Sequence, residues 1–249
     1  MKKAFFIGLL AFPLISNAQE PEEKPSYKKS YWATVSESIL SLGDIGNVSI
    51  SSGPTPLGTL LPIERSQPVP RFSAFFHLGE QFHMNLSKNV GFYTGFGVRN
   101  LGMINRLNDT IRIKQRVYSL GIPAAIKIGD MGKKHYVSIG AELELFFNYK
   151  QKTFLGNNRG SKVEKFNEWA SNRTELLNPS VFAEFCFGRG NYLRIRYYLN
   201  DFLKAGNQTY KVDGVTYSWL PERSQLFAVS YGKIIFKKRK APEMEDFLF

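Results

Sequence analysis

The chain has 249 residues, 33 Lys+Arg against 21 Asp+Glu, three histidines and one cysteine. A lone Cys186 excludes a disulfide framework and any cysteine-based zinc site, and three histidines make a His-rich metal cluster a poor reading. Hydrophobic content of 43% with 22% charged residues excludes global disorder, while 21 Phe, 12 Tyr and 21 Gly favour strands and tight turns over helices.

Residues 1–18 read as a signal peptide. Lys2 and Lys3 precede an apolar run from Ala4 to Ile15, and Ser16-Asn17-Ala18 puts small residues at the −3 and −1 positions of a cleavage site. The run is shorter than the ~20 residues that span a bilayer. No cysteine follows it to carry a lipid anchor. Losing two lysines leaves a mature charge of 12 − 2 = +10. In an exported protein this points to an anionic membrane surface and not to nucleic acid.

Residues 19–30 read as a flexible periplasmic leader, and a first strand falls somewhere in Tyr31–Ile50. From Arg71 to Leu86 the residues alternate. Phe72, Phe76, Leu78, Phe82 and Met84 share one face; Ser73, His77, Gln81, His83 and Asn85 share the other. A period of two is the mark of a strand with one apolar face. Glu80 falls on that apolar face, which implies either a bulge at Gly79 or a protein partner covering it. Further strands follow at 90–104 and 112–128, where Pro123 implies another bulge because it cannot donate to a ladder. The strand at 135–150 sets Val137, Ile139, Ala141, Leu143, Leu145, Phe147 and Tyr149 against Tyr136, Ser138, Gly140, Glu142, Glu144 and Asn148. A polar excursion, 151–178, carries a short helix near Val163–Ala170, and strands at 179–188, 192–203 and 224–236 complete the set.

The connections 87–89, 129–134 and 189–191 are short; 52–70, 151–178 and 204–223 are long, with 105–110 a modest exception. In an up-and-down sheet the short ones all lie at one end. The expected fold is therefore all-β: an eight-stranded antiparallel up-and-down transmembrane β-barrel over 31–236, with short periplasmic turns and longer extracellular loops. Residues 237–249 form a periplasmic tail.

The run RFSAFFHLGEQFHMNLSKNVGFYTGFGVRNLGMI (71–104) resembles the Bacteroidetes outer-membrane β-barrel domain family. YSLGIPAAIKIGD (118–130), KFNEWASNRTELLNPSVFAEF (165–185) and YLRIRYYLNDFL (192–203) share the resemblance. It implies an eight-stranded barrel in the outer membrane of a Gram-negative bacterium of that kind. It implies no catalytic residue.

Side chains fill the interior of a barrel this narrow. Arg99, Glu142, Glu144, Glu184, Arg194 and Arg196 fall on inward positions, three acids against three arginines, and are expected to form a compensated ionic plug. Glu80, with Phe154, Phe166 and Trp169 of the long excursion, are the candidates to face a partner, and Thr110 in Asp109-Thr110-Ile111 is a candidate O-glycosylation site. No catalytic, cofactor or metal site is expected. The leading expectation is a non-enzymatic outer-membrane protein, a structural or accessory subunit of a complex or a surface-binding protein. Its partners would be outer-membrane lipid, anionic surface glycolipid and other outer-membrane proteins, with no nucleic acid. The alternative is a lipid-modifying barrel enzyme near His77, which shares the inward face with His83 and Ser73, and the third reading is a narrow channel.

Overall fold

The computed structural model describes residues 28–52, 61–63, 65–156 and 161–236; the expected signal peptide, most of the expected leader and the expected tail lie outside them. Among the described residues the regular structure is all strand: β1 (Ser30–Asp44), β2 (Val48–Ser52), β3 (Leu61–Ile63), β4 (Gln67–Val69), β5 (Arg71–Ser73), β6 (Leu78–Asn85), β7 (Val90–Arg106), β8 (Ile111–Asp130), β9 (His135–Leu155), β10 (Ser161–Trp169), β11 (Leu177–Phe187), β12 (Asn191–Tyr198), β13 (Gln208–Val212), β14 (Val215–Pro221) and β15 (Gln225–Phe236).

Eight of these pair antiparallel in the succession β1, β6, β7, β8, β9, β11, β12, β15. The last pairs back onto the first, from Ala33 opposite Phe236 to Asp44 opposite Gln225. Each strand of this ring thus has a partner on both edges. β10 folds back along the far end of β9, next to the stretch that β11 occupies. β2, β3, β13 and β14 form a separate four-stranded sheet at that same end.

The alternation read from the sequence mostly survives, and where it fails the cause is local. The stretch 71–86 is two strands, not one. Ile39 faces Ser73 and Ser36 faces Leu78, so 74–77 stand opposite only 37–38. Phe76 absorbs the detour at φ 64°. Two extra residues restore the parity, so Ser73, His77, Gln81, His83 and Asn85 are all still buried. β9 behaves differently. The register shifts between Tyr118 and Ser119, which face Asn148 and Phe146, leaving Phe147 as an extra residue. One extra residue reverses the faces. Tyr149 therefore points inward, contrary to the expected alternation, and Lys150 and Lys152 lie on the more exposed face.

The bulges expected at Gly79 and Pro123 do not form. Gly79 keeps register with Val35 and Gly97, and Pro123 faces Glu142 without a shift. Pro123 costs instead a gap in the β7–β8 pairing between Thr94 and Gly97, and Thr94 Oγ1 donates to its carbonyl at 2.8 Å. The helix expected near Val163–Ala170 is β10. Glu164, Phe166 and Glu168 turn to one face and Lys165, Asn167 and Trp169 to the other, more exposed one, a period of two that pairs the edge of β9. β12 ends at Tyr198 because Phe202 and Leu203 turn into the core.

Two apolar layers occupy the buried side. Ile39, Leu101, Met103, Phe146 and Tyr149 from the ring pack with Val48, Tyr210 and Trp219 of the four-stranded sheet at the long-loop end. Ala33, Val35, Tyr136, Cys186, Tyr192 and Ile234 form the layer at the short-turn end. Between them glycine makes room for larger groups. A Cβ on Gly121 would sit 2.8 Å from Arg99 Nη1 and closer still to Glu142 Oε1. Gly121→Val is expected to lower stability by about 1–3 kcal/mol through overpacking, measured by urea unfolding of the detergent-solubilised protein.

Candidate functional site

The middle layer is ionic. All six charged residues assigned to the interior are buried and come together, and the structure adds a seventh, Glu37 of β1. Arg99 donates through Nε to Glu37 at 2.5 Å and through Nη1 to Glu142. Arg196 Nη2 donates to the other Glu142 oxygen at 2.7 Å. Arg194 holds Glu184 through Nη2 at 2.5 Å and Nε at 2.9 Å, and its Nη1 lies 3.7 Å from Glu37. Glu144 is served mainly by hydroxyls, Ser119 at 2.6 Å and Tyr198 at 2.8 Å, with Arg196 at 3.7 Å. Tyr192 donates to Glu37 at 3.1 Å. The Arg194 guanidinium also lies over the rings of Phe182 and Tyr192, 4.8 and 5.0 Å from their centroids.

The expected balance of three acids and three arginines is thus corrected to four and three. Glu37 escaped the sequence reading because its strand shows no clean apolar face. Thr34, Ser36 and Ser38 alternate with Val35, Glu37 and Ile39, so neither side looks like lipid-facing surface.

The structure also buries Lys127, which the sequence expectations do not include. Its Nζ donates to Asn85 Oδ1 at 2.6 Å and approaches His83 Nδ1 at 3.2 Å. The rings of Tyr31 and Tyr136 lie 5.5 and 5.4 Å away. A signal is present, since Lys127 shares the inward parity of Ser119 and Ala125 near the end of the strand.

Ser73 and His77 do meet, with Nε2 and Oγ 2.9 Å apart. The backbone N–H of Asn100 donates to His77 Nδ1 at 3.3 Å. That bond leaves the proton of a neutral ring on Nε2, so the histidine donates to the serine and cannot take its proton. The tautomer is the wrong one for activating a nucleophile.

The other candidates lie apart from this layer. Glu80 keeps its outward parity, half-buried, and accepts from Thr34 Oγ1 at 2.6 Å across the β1–β6 pair. Trp169 is 72% exposed and stacks on Phe147 at 6.0 Å. Phe154 lies under the Arg112 guanidinium at 4.7 Å. Phe166 packs instead against the buried core beside Tyr149, beneath Arg173. Thr110 is exposed in a tight turn, where Asn108 Oδ1 accepts from its N–H and its hydroxyl, both at 3.0 Å.

No family model matches the chain, and no curated protein matches it in sequence, so the family resemblance rests on the quoted segments. Solved structures similar to it include the outer membrane protein OprG from Pseudomonas aeruginosa, at 12% identity over 85% of this chain and 99% of that one, with a TM-score of 0.39. The outer membrane protein AlkL, solved in lipid bilayers, is 13% identical over 91% and 99%, at 0.40. The attachment invasion locus protein Ail of Yersinia pestis, in complex with a heparin analogue, is 12% identical over 80% and 98%, at 0.27.

Removing one partner from a buried ion pair costs about 3–5 kcal/mol, because the other charge stays buried. Arg99→Met is expected to destabilise by that amount in urea unfolding. Combining it with Glu142→Gln should recover part of the loss; strictly additive losses would mean that the two side chains do not interact.

Proposed function

We propose that the chain is an integral outer-membrane protein whose eight-strand ring crosses the bilayer as a closed barrel with a filled interior. It catalyses no reaction and acts through its extracellular end, as a surface-binding protein or an accessory subunit of an outer-membrane complex. The observation that carries this reading is the inversion of polarity across the ring. Glutamates and arginines are sealed inside, while Leu120, Ile122, Ile126 and Ile128 of β8, Ile139 and Leu143 of β9 and Leu193 and Ile195 of β12 are exposed outside. Soluble monomers rarely expose an apolar patch beyond ~600 Å², whereas a belt running round a whole ring is what lipid covers.

The height fits. From Tyr118 to Ile128 the strand rises about 33 Å at ~3.3 Å per residue, or about 25 Å once tilted by ~40°. Aromatic residues edge the belt. Phe76, Tyr118, Phe147 and Trp169 contact one another in turn near the long-loop end. Trp32 with Phe82, and Phe187 with Tyr231, do so toward the short-turn end. The short-turn end is periplasmic, as in other outer-membrane barrels.

The three filled layers favour a plug over a channel, and the His77 tautomer favours a structural bond to Ser73 over catalysis. The cap of β2, β3, β13 and β14 gives the extracellular end a folded surface, which supports the binding role.

Single-tryptophan variants test the membrane placement, with the other two tryptophans changed to Phe. Brominated lipids are expected to quench Trp32 and Trp169 strongly and Trp219, which is 2% exposed, weakly. Equal quenching of all three would refute the arrangement. Reconstituted protein should show no steady conductance in planar bilayers. A C-terminally tagged copy purified from native membranes should bring stoichiometric partners if it is a subunit, and none if it binds at the surface alone.

A further inference from the structure

Beyond Tyr118, toward the long-loop end, the more exposed face of β8, β9 and β10 changes from apolar to cationic. Lys114 faces Lys152, and Lys152 faces Lys165, in one line across three adjacent strands. In the next line toward the membrane Arg116 faces Lys150. Like charges directly opposite on a sheet face repel and destabilise it.

Nothing within the described protein offsets that repulsion. Among the described residues none of these five cations takes part in an ion pair. The acids of β10 are turned to the other face and used there: Glu164 accepts from Thr153 Oγ1 and the N–H of Lys211, and Glu168 binds Arg173. Arg116 Nε is buried without a hydrogen-bond partner, while its guanidinium lies 5.5 Å from the Tyr118 ring. Lys114, Arg116, Lys150 and Lys152 together line one small cleft.

We propose that this cleft binds the phosphate of an anionic lipid in the outer leaflet, whose acyl chains run down the apolar belt below. The proposal rests on the reading that this belt is embedded in the membrane. A phosphate would neutralise facing cations that have no other anion and would accept hydrogen bonds from several of them at once. A lipid, and not a free phosphate ion, is favoured by depth. Arg116 is two residues beyond Tyr118, about 7 Å along the strand and about 5 Å in height, where a headgroup meets the aromatic edge. Leu120, Ile122 and Leu143 continue directly beneath.

The test uses the full chain in phosphatidylcholine vesicles, with flotation read first, and then binding of diphosphorylated lipid A measured by native mass spectrometry. Lys114→Gln/Lys152→Gln is expected to weaken that binding by about tenfold or more. It should fold at least as well as wild type, because it removes repulsion. Lys88→Gln/Lys133→Gln, at the opposite end, should leave binding unchanged. Unchanged binding by the cleft variant, equal loss in the control, or equal binding of dephosphorylated lipid A would each overturn the proposal. Displacement of the lipid by millimolar inorganic phosphate would overturn the lipid source and leave a soluble anion site. Failure of the wild type to float would overturn the membrane reading instead, so the two failures are distinguishable.

Discussion

The pairing of β15 with β1 is the constraint from which the rest of the architecture follows. An unpaired backbone group costs several kcal/mol in hydrocarbon, so a sheet can cross a membrane only without edges. The register from Ala33–Phe236 to Asp44–Gln225 supplies that closure. It also brings the start of the first strand and the end of the last together beside the short turns. Once the ring closes, each strand has an enclosed and an outward face, and every side chain is assigned by parity to one of the two.

A ring of eight strands leaves an interior that side chains must fill. This chain fills it in layers. Apolar groups lie at both ends and the ionic network between them, where Arg99, Arg194 and Arg196 bridge carboxylates from β1, β9 and β11. An ionic layer of this kind adds little net stability over an apolar one, but a slip of one residue would send these charges outward. The network therefore specifies register more than it strengthens the fold. Gly121 is its counterpart in the wall, a position left without a side chain so that the Arg99–Glu142 pair can lie against it.

Much of this was legible in the sequence because parity is robust to even insertions. Four residues opposite two at 74–77 left the faces of Ser73 and His83 unchanged. An odd insertion is invisible to the same reasoning, and the extra Phe147 turned Tyr149 inward. Glu37 was hidden for another reason. Its strand carries serine and threonine on the outward positions, so polarity no longer separates the two faces. The helix expected near Val163–Ala170 is a strand because the open edge of β9 captures the segment. Elements whose shape is decided by a neighbour's vacant hydrogen bonds cannot be read from their own composition.

The lone thiol carries a consequence of its own. Cys186 is fully buried in the layer that includes Tyr136 and Tyr192. In an unfolded chain the same thiol is exposed and can couple to another. Closure of the ring withdraws the sulfur from reagents and from other copies alike. Its alkylation thus records how many molecules have yet to close the ring, a built-in clock for folding that needs no engineered label.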